Sequence, residues 1–529
     1  MPTTDISTVI LPRAPKGAFQ NEPFTDFKAS ANHKGMQEAL ARVAGMLGHE
    51  YALVMGGERV RTGKTIRSMN PAKPVELIGV HAEATVAVAG EAILAARRVF
   101  ETWQHVSLEQ RTSLLLRAAE IIRERKFEFC AWLTYEVGKN WGEADADVAE
   151  TIDFLEFYAR EALRLANAAP PIQYPGEKNR LLYVPLGVGV VLPPWNFPFA
   201  ILAGMTAAAI VCGNTVVLKP SPDAPTIAAR FLDVLEEAGM PPGVVNLVQG
   251  GAEVGRALVD SAETRFVAFT GSKKVGLDIH ERAAKTQPGQ RWIKRTILEM
   301  GGKDAILVSA DADLDAAVEG VAASAFGFSG QKCSACSRAI VEDAIYDAFV
   351  ERLMERVARI QVGDPVENAS MGPLVNAAAK QRVLEYIAAG KQEGRLIAGG
   401  QAIERNGGYY IEPTMFADVQ PEARIAQEEI FGPVLALIRV ESFDEGLAVA
   451  NGTEYGLTGS VYTADRGKLE HAARSFHVGN LYFNRKSTGA MVGAHPFGGF
   501  NMSGTDSKAG GPDYLLHFTQ AKSVAEKLG

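Results

Sequence analysis

The strongest constraint on this chain is a series of short apolar, β-branched runs: Val188 to Leu192, Thr215 to Leu218, Val244 to Val248, Phe266 to Phe269 and Thr296 to Leu298. They recur about every 22 to 30 residues with helical stretches between most of them, the spacing of βα units on a parallel sheet. The helix after Thr226 is punctuated accordingly, with Pro225 at its start and Gly239 just past its end. This half of the chain is expected to be α/β.

After Gly301-Gly302 the pattern restarts with Ala305 to Val308, a capping Asp311 or Asp313, and a helix leading to Phe326. A second α/β unit continues through Ile340-Val341, a helix from Tyr346 to Ile360, and Gly432-Pro433-Val434-Leu435-Ala436. Upstream, Ser107-Leu108-Glu109-Gln110 is a capping pattern for a helix with Leu114, Ala118, Ile121 and Ile122 on one face. Another helix runs from about Ala144 to Leu165, and Pro170-Pro171 through Pro175-Gly176 then breaks the pattern. Leu181 to Val191 reads as two strand segments flanking Pro185-Leu186-Gly187. Residues 1 to about 40, weakly periodic and punctuated by Pro and Gly, read as an arm on the surface.

Composition narrows the partners. The 529 residues are 47% hydrophobic and 22% charged, with a net charge of -8 and no block of like charges. Nothing in that balance points to nucleic acid or an anionic membrane, which leaves small molecules. Four cysteines, Cys130, Cys212, Cys333 and Cys336, are too sparse for a disulfide framework and suggest a reducing compartment. Met1 to Gln20 shows neither a secretory nor a transit signal, so a cytoplasmic location is expected. The longest apolar run, Phe197 to Cys212, is interrupted by Pro198 and Gly204 and reads as a buried helix rather than a membrane span.

Chemistry concentrates around Phe326-Gly327-Phe328-Ser329-Gly330-Gln331-Lys332-Cys333-Ser334-Ala335-Cys336. Cys333 is the candidate nucleophile: Gly330 allows close approach to the backbone, and Lys332 is placed to lower the thiol pKa. Cys333 and Cys336 also form a CxxC, but no second CxxC or paired histidines complete a zinc site, and no metal is expected. Cys336 reads as a packed neighbour that, on a helical path, would lie within reach for oxidative pairing.

Other candidates sit at strand ends, where parallel sheets bind ligands. Asn196, in Pro193-Pro194-Trp195-Asn196-Phe197-Pro198, offers an amide donor for an oxyanion, and Lys219, in Leu218-Lys219-Pro220-Ser221, a cation for a ribose or phosphate. Phe269-Thr270-Gly271-Ser272-Lys273-Lys274-Val275-Gly276 opens a helix, so Ser272 either caps that helix or meets a phosphate. Glu299, among apolar neighbours at the last strand's end, is a candidate general base or simply a solvated carboxylate.

In order along the chain, PWNFP, LKPS, FTGS with GSKKVG, LEMGGK, FGFSGQKC, EEIFGPV and PFGG resemble the aldehyde dehydrogenase superfamily from about residue 50 to 520. The resemblance implies a Rossmann-type cofactor domain, an α/β catalytic domain and a small β oligomerisation flap. The corresponding boundaries are an arm at 1–40, an NAD(P)-binding domain at 41–163 and 186–299, a catalytic domain at 300–507, and a flap from 164–185 and 508–529.

Carried onto this sequence, the resemblance makes Cys333 the nucleophile, Glu299 the general base, and Asn196 with the Cys333 N–H the oxyanion hole. Lys219, Ser221, Gly251, Gly255, Thr270, Gly271, Ser272, Gly276, Glu429 and Phe431 become cofactor contacts. NAD is the implied cofactor. Many NAD-preferring members have a glutamate three positions after the lysine where this chain has Pro222, so NADP use is also open.

The stretches Gln331 to Arg338 and Lys486 to Gly493 look like the branch that oxidises L-glutamate γ-semialdehyde to L-glutamate in proline catabolism. That likeness implies substrate contacts at Lys332, Ser334, Gly489, Ala490 and Phe497, with Glu150 near the entrance, and a homo-oligomer. A broad-specificity aldehyde dehydrogenase and a dithiol redox protein are the competing expectations.

Overall fold

The computed structural model describes Pro15, residues 17–167 and residues 170–529. The remaining part of the segment expected as a surface arm lies outside the described residues.

Two seven-stranded sheets organise the chain. The first runs in the order Arg295–Glu299, Thr264–Thr270, Val188–Leu192, Thr215–Leu218, Val245–Leu247, Leu53–Met55, Glu58–Val60. Its first five strands are parallel, and the last two form an antiparallel hairpin at the edge. All five recurring apolar runs are strands of this sheet, and Val188–Leu192, Thr215–Leu218 and Val245–Leu247 are buried at every residue. The earliest of the five lies between the second and the fourth, so strand order reverses beside Val188–Leu192. A crevice opens outside the carboxyl ends at such a reversal.

The second sheet runs Arg395–Ala398, Thr414–Ala417, Val434–Val440, Arg338–Glu342, Ala305–Val308, Thr458–Tyr462, Asn480–Phe483. Only its edge strand Arg395–Ala398 is antiparallel. Asp313, not Asp311, caps the helix Leu314–Phe326, accepting from the Ala316 N–H; Asp311 instead accepts from Thr463, Ala464 and Asp465. The capping box at Ser107 and Gln110 opens the helix Leu108–Glu124, whose Leu114, Ala118, Ile121 and Ile122 are all buried.

One expectation on the chain's periphery is corrected. The helix Ser30–Ala44 begins inside the supposed arm and buries Met36, Ala39, Leu40 and Val43; its apolar spacing is short and diluted by polar residues, which hid it. Within the expected flap, Glu177–Pro185 pairs antiparallel with Thr519–Lys527. Ahead of that strand, Tyr514, Leu515 and Phe518 are buried against the first unit's core.

No helix among the described residues is long and apolar enough to cross a membrane. The apolar run after Phe197 folds as the buried helix Ala200–Val211.

Candidate active site

Cys333 stands where two cavities meet. One, of about 890 Å³, is walled mainly by apolar side chains, among them Phe154, Tyr158, Phe197, Ile201, Met205, Ile297 and Tyr514. Glu150, Glu299, Ser334, Gly489, Ala490 and Phe497 also line it. The other, of about 1620 Å³, follows the carboxyl ends of the first sheet past Asn196, Lys219, Ser221, Gly251, Gly255, Gly271, Ser272, Glu429 and Phe431. Phe269, Thr270, Met300 and Cys333 are common to both.

The loop that presents the thiol is forced into an unusual path. Phe328, Ser329 and Gly330 are successive left-handed residues, with φ of 49°, 56° and 67°; the two that are not glycine cost roughly 1 kcal/mol or more each. Neighbouring contacts hold them. Ser329 Oγ donates to the Gly372 carbonyl at 2.7 Å, and Gln331 accepts from the Val375 N–H at 2.9 Å. The close approach expected at Gly330 is made by protein: a Cβ there would lie 2.3 Å from the Gly432 carbonyl oxygen.

Burial raises the Cys333 thiol pKa well above its ordinary value, reinforced by the carboxylates of Asp304, Glu429 and Glu299. Lys332 does not offset this. Its ammonium pairs with Glu143 of the helix Trp141–Ala166 at 2.7 Å, and it is absent from the walls of both large cavities. The expected role of Lys332 as thiol tuner is therefore corrected: its ammonium is committed to a carboxylate on the neighbouring helix, and the thiol is raised rather than lowered.

Glu299 ends the strand Arg295–Glu299 and is almost fully buried. Burial pushes its carboxyl up to about 7, while donors hold it in place: Ser507 Oγ at 2.5 Å, with the Ser507 and Gly499 N–H groups at 3.3 Å. Asn196 Nδ2 donates to the Gln331 carbonyl at 3.1 Å, which orients the amide toward the thiol loop and leaves its second hydrogen for another acceptor.

In the long cleft, Ser272 is the N-cap residue of Lys273–Ala284, yet its hydroxyl makes no capping bond to that helix. The free N–H groups of a helix start and an uncommitted hydroxyl form an anion cradle. Gly251 opens onto empty space. Lys219 Nζ bonds the Pro220 and Gly250 carbonyls, and burial lowers its pKa to about 8. Glu429 accepts from the Gly302 N–H at 3.1 Å, its carboxyl raised by burial to about 7, and Phe431 meets Trp195 edge to face. Packing holds Gly276 to glycine: a Cβ there would lie 2.4 Å from Met300 Sδ.

Cys336 is not one helical turn from Cys333. The chain between them is an irregular turn, and Cys336 packs into the second sheet's core with its Sγ donating to the Arg338 carbonyl.

Several site residues escaped the sequence reading. Ser507 and Gly499 hold Glu299 from a segment roughly 200 residues downstream. Arg256 and Arg382 line the cleft. Phe154, Tyr158 and Tyr514 wall the apolar cavity. Only the helix gave a usable signal: Glu143, Asp147, Glu150, Phe154 and Tyr158 recur every three or four residues, an acidic stripe running into an aromatic one.

Known proteins match this geometry over most of the chain. The model of the aldehyde dehydrogenase family matches residues 59–524. A 1-pyrroline-5-carboxylate dehydrogenase of Geobacillus thermodenitrificans (strain NG80-2) is 56% identical over 510 residues, 96% of this chain and 99% of that protein. A crystal structure of 1-pyrroline-5-carboxylate dehydrogenase from Thermus with bound NAD superposes with a TM-score of 0.95 at 52% identity, covering 97% of this chain and 99% of the other. Proline utilization A from Bdellovibrio bacteriovorus, a longer chain covered to 54%, matches 98% of this one with a TM-score of 0.95 at 44% identity. With a match that runs from the hairpin of the first sheet into the C-terminal strand, this chain belongs to the aldehyde dehydrogenase family.

Proposed function

We infer that the protein oxidises L-glutamate γ-semialdehyde, which arises by hydrolysis of 1-pyrroline-5-carboxylate, to L-glutamate with NAD+, the second step of proline catabolism. One observation carries the reading. A half-buried thiol and a carboxyl poised near pH 7 share an apolar cavity that joins, at the thiol itself, a cleft with an anion cradle.

The chemistry follows from the residues. Cys333 Sγ attacks the aldehyde carbon as its proton leaves, and Glu299, whose carboxyl sits near 7, can accept that proton at neutral pH. The oxygen that becomes negative is held by the free Asn196 hydrogen and the Cys333 N–H. NAD+ in the long cleft supplies the hydride acceptor. The resulting thioester at Cys333 is cleaved by a water that Glu299 deprotonates, releasing the carboxylate and the thiol. Aldehyde, NAD+ and water thus yield acid, NADH and a proton.

Around the substrate, Ser334 and the N–H groups near Gly489 and Ala490 suit the α-carboxylate, and Phe497 packs on the methylenes. Support comes from the loop's construction: Arg485 draws the Thr488 and Gly489 carbonyls to itself, at 3.0 and 2.9 Å. Glu150 borders the same cavity. In the long cleft, Lys219 and Glu429 serve the ribose groups, Ser221, Gly251, Gly255, Thr270, Gly271 and Ser272 the rest of the nucleotide backbone, and Phe431 the nicotinamide side. Pro222 in that cleft leaves room for NADP as a second acceptor.

The first sheet with its helices is assigned to nucleotide binding and the second to catalysis. The ribbon of Glu177–Pro185 and Thr519–Lys527 is assigned to a homo-oligomer of dimer size or larger, supported by its exposed Leu181, Leu182 and Tyr183. A cytoplasmic location accords with four free cysteines.

The test is NADH formation with pyrroline-5-carboxylate and with simple aliphatic aldehydes. A large kcat/KM advantage for the former is expected, and no preference would overturn the substrate assignment.

A further inference from the structure

The segment that follows Phe19 has no part in the reaction as derived, yet it is fastened with unusual care. Asp153 and Asp145, on the helix Trp141–Ala166, are 3% and 1% exposed, and both turn outward to it. Asp153 accepts from the Glu22 N–H at 2.6 Å and from Asn21 Nδ2 at 2.8 Å. Asp145 accepts from the Thr25 N–H at 2.8 Å and the Thr25 hydroxyl at 2.6 Å. Phe19 meets Phe157 of the same helix edge to face, with ring centroids 5.1 Å apart.

Asn21 reaches further than the rest. The same Nδ2 that donates to Asp153 donates its other hydrogen to the Val492 carbonyl at 3.0 Å. Val492 is two residues beyond Ala490, on the loop that lines the aldehyde cavity together with Glu150 and Phe154 of the helix. Next to it, Gly493 has a φ of 80°, and a Cβ there would press to 3.2 Å on both the Phe157 and Phe19 rings. Strap, helix and loop therefore converge on one point, and a single amide ties two walls of the cavity together.

We propose that the segment 19–25 is a strap that sets the position of the substrate loop, with Asn21 as its positioning residue. Asn21 touches neither substrate nor cofactor. It fixes the loop around Gly489 and Ala490 relative to the helix, and so fixes the distance between the carboxylate anchor and the thiol. The proposal rests on the assignment of that loop to the substrate's α-carboxylate. Removing the amide would leave a buried carbonyl and a carboxylate oxygen short of donors, a loss felt first where the two walls meet.

The test compares the full-length protein with Asn21→Ala using pyrroline-5-carboxylate, propanal, and hydrogen exchange of the loop without substrate. We expect KM for the semialdehyde to rise about tenfold, the equivalent of ~1.4 kcal/mol, with kcat, the KM for NAD+ and the kcat/KM for propanal each changed less than about twofold. Exchange across residues 488–495 should accelerate. Equal losses with both aldehydes, an unchanged semialdehyde KM, or unchanged loop exchange would each overturn the proposal. If Asn21→Ala fails to fold, Asn21→Ser, which shortens the reach to Val492 and keeps the backbone bond to Asp153, is read in the same way. If the wild-type protein itself shows no preference for the semialdehyde, the substrate assignment fails, and loop exchange alone decides whether the strap holds the loop.

Discussion

The two cavities that meet at Cys333 are built in opposite ways. The long cleft is assembled by repetition: each parallel strand of the first sheet ends in a short turn, and those turns carry Asn196, Lys219, Gly251 and Ser272. The apolar cavity is assembled by convergence of the helix Trp141–Ala166, the helix Ala200–Val211, the loop around Gly489 and the segment 497–514. A repeated unit places generic groups for a cofactor common to many enzymes, whereas distant segments can change one wall at a time and so suit substrate selection. The thiol lies at the seam, with Glu299 beside it on the apolar side, which makes them the place to break the arrangement.

The largest effect is expected from Cys333→Ala. NADH formation should fall by roughly 10^4-fold or more, since removing a covalent nucleophile removes the pathway rather than an interaction. Nucleotide binding, measured by fluorescence titration, should persist because the cleft is built independently of the thiol. Loss of both together would show that the two cavities are not separable.

Glu299→Gln comes next, with an expected loss of about 10^2 to 10^4 in turnover. The amide keeps the shape but cannot take a proton from the thiol or from water, so a rapid-mixing trace should show a slowed NADH burst that then stalls at the thioester. Burial raises this carboxyl to about 7. Below that pH it is protonated and cannot act as a base, so wild-type kcat should fall as pH drops through about 7, and the variant should lose this acid limb. Turnover at the wild-type rate would remove Glu299 from its role.

The same contrast explains what the sequence disclosed. Each parallel strand announces itself by local composition, and each turn follows within a few residues, so Lys219 and Ser272 were readable from their own neighbourhoods. The walls of the apolar cavity were not. Nothing near Tyr514 says that it shares a cavity with Glu150, and nothing near Ser507 says that its hydroxyl meets Glu299. Lys332 shows the limit of adjacency: it neighbours the nucleophile in sequence, yet its ammonium pairs with Glu143 on another element. Ser334, Gly489 and Ala490 were reached only through resemblance to a family, and the helix Ser30–Ala44 was missed because its apolar stripe is short.

A smaller effect sharpens the comparison from the cleft side. A Cβ on Gly301 would fall 2.1 Å from a Glu429 carboxylate oxygen, so Gly301→Ala must push that carboxylate off the Gly302 N–H it now accepts from. KM for NAD+ should rise by about tenfold, a typical consequence of displacing a charged hydrogen-bond partner. KM for the semialdehyde should change much less, because Glu429 borders only the cleft among the two large cavities. Equal effects on both substrates would mean that the seam transmits strain between them.

The smallest effect is expected at Glu150, and its pH dependence is the informative part. Burial, with Asp147 nearby, raises this carboxyl to about 8, while Lys139 opposes the shift. A carboxyl with a pKa near 8 is mostly protonated at pH 7, and glutamine is a close mimic of that neutral form. Glu150→Gln should therefore leave kcat/KM for the semialdehyde within about twofold at pH 7. Above about 8 the wild-type group becomes an anion in an apolar wall and the variant does not, so the two profiles should separate as pH rises. If the variant instead loses activity at pH 7 and converges on wild type at higher pH, Glu150 works as an anion in the resting cavity, and the apolar wall is more polar in use than its lining side chains indicate.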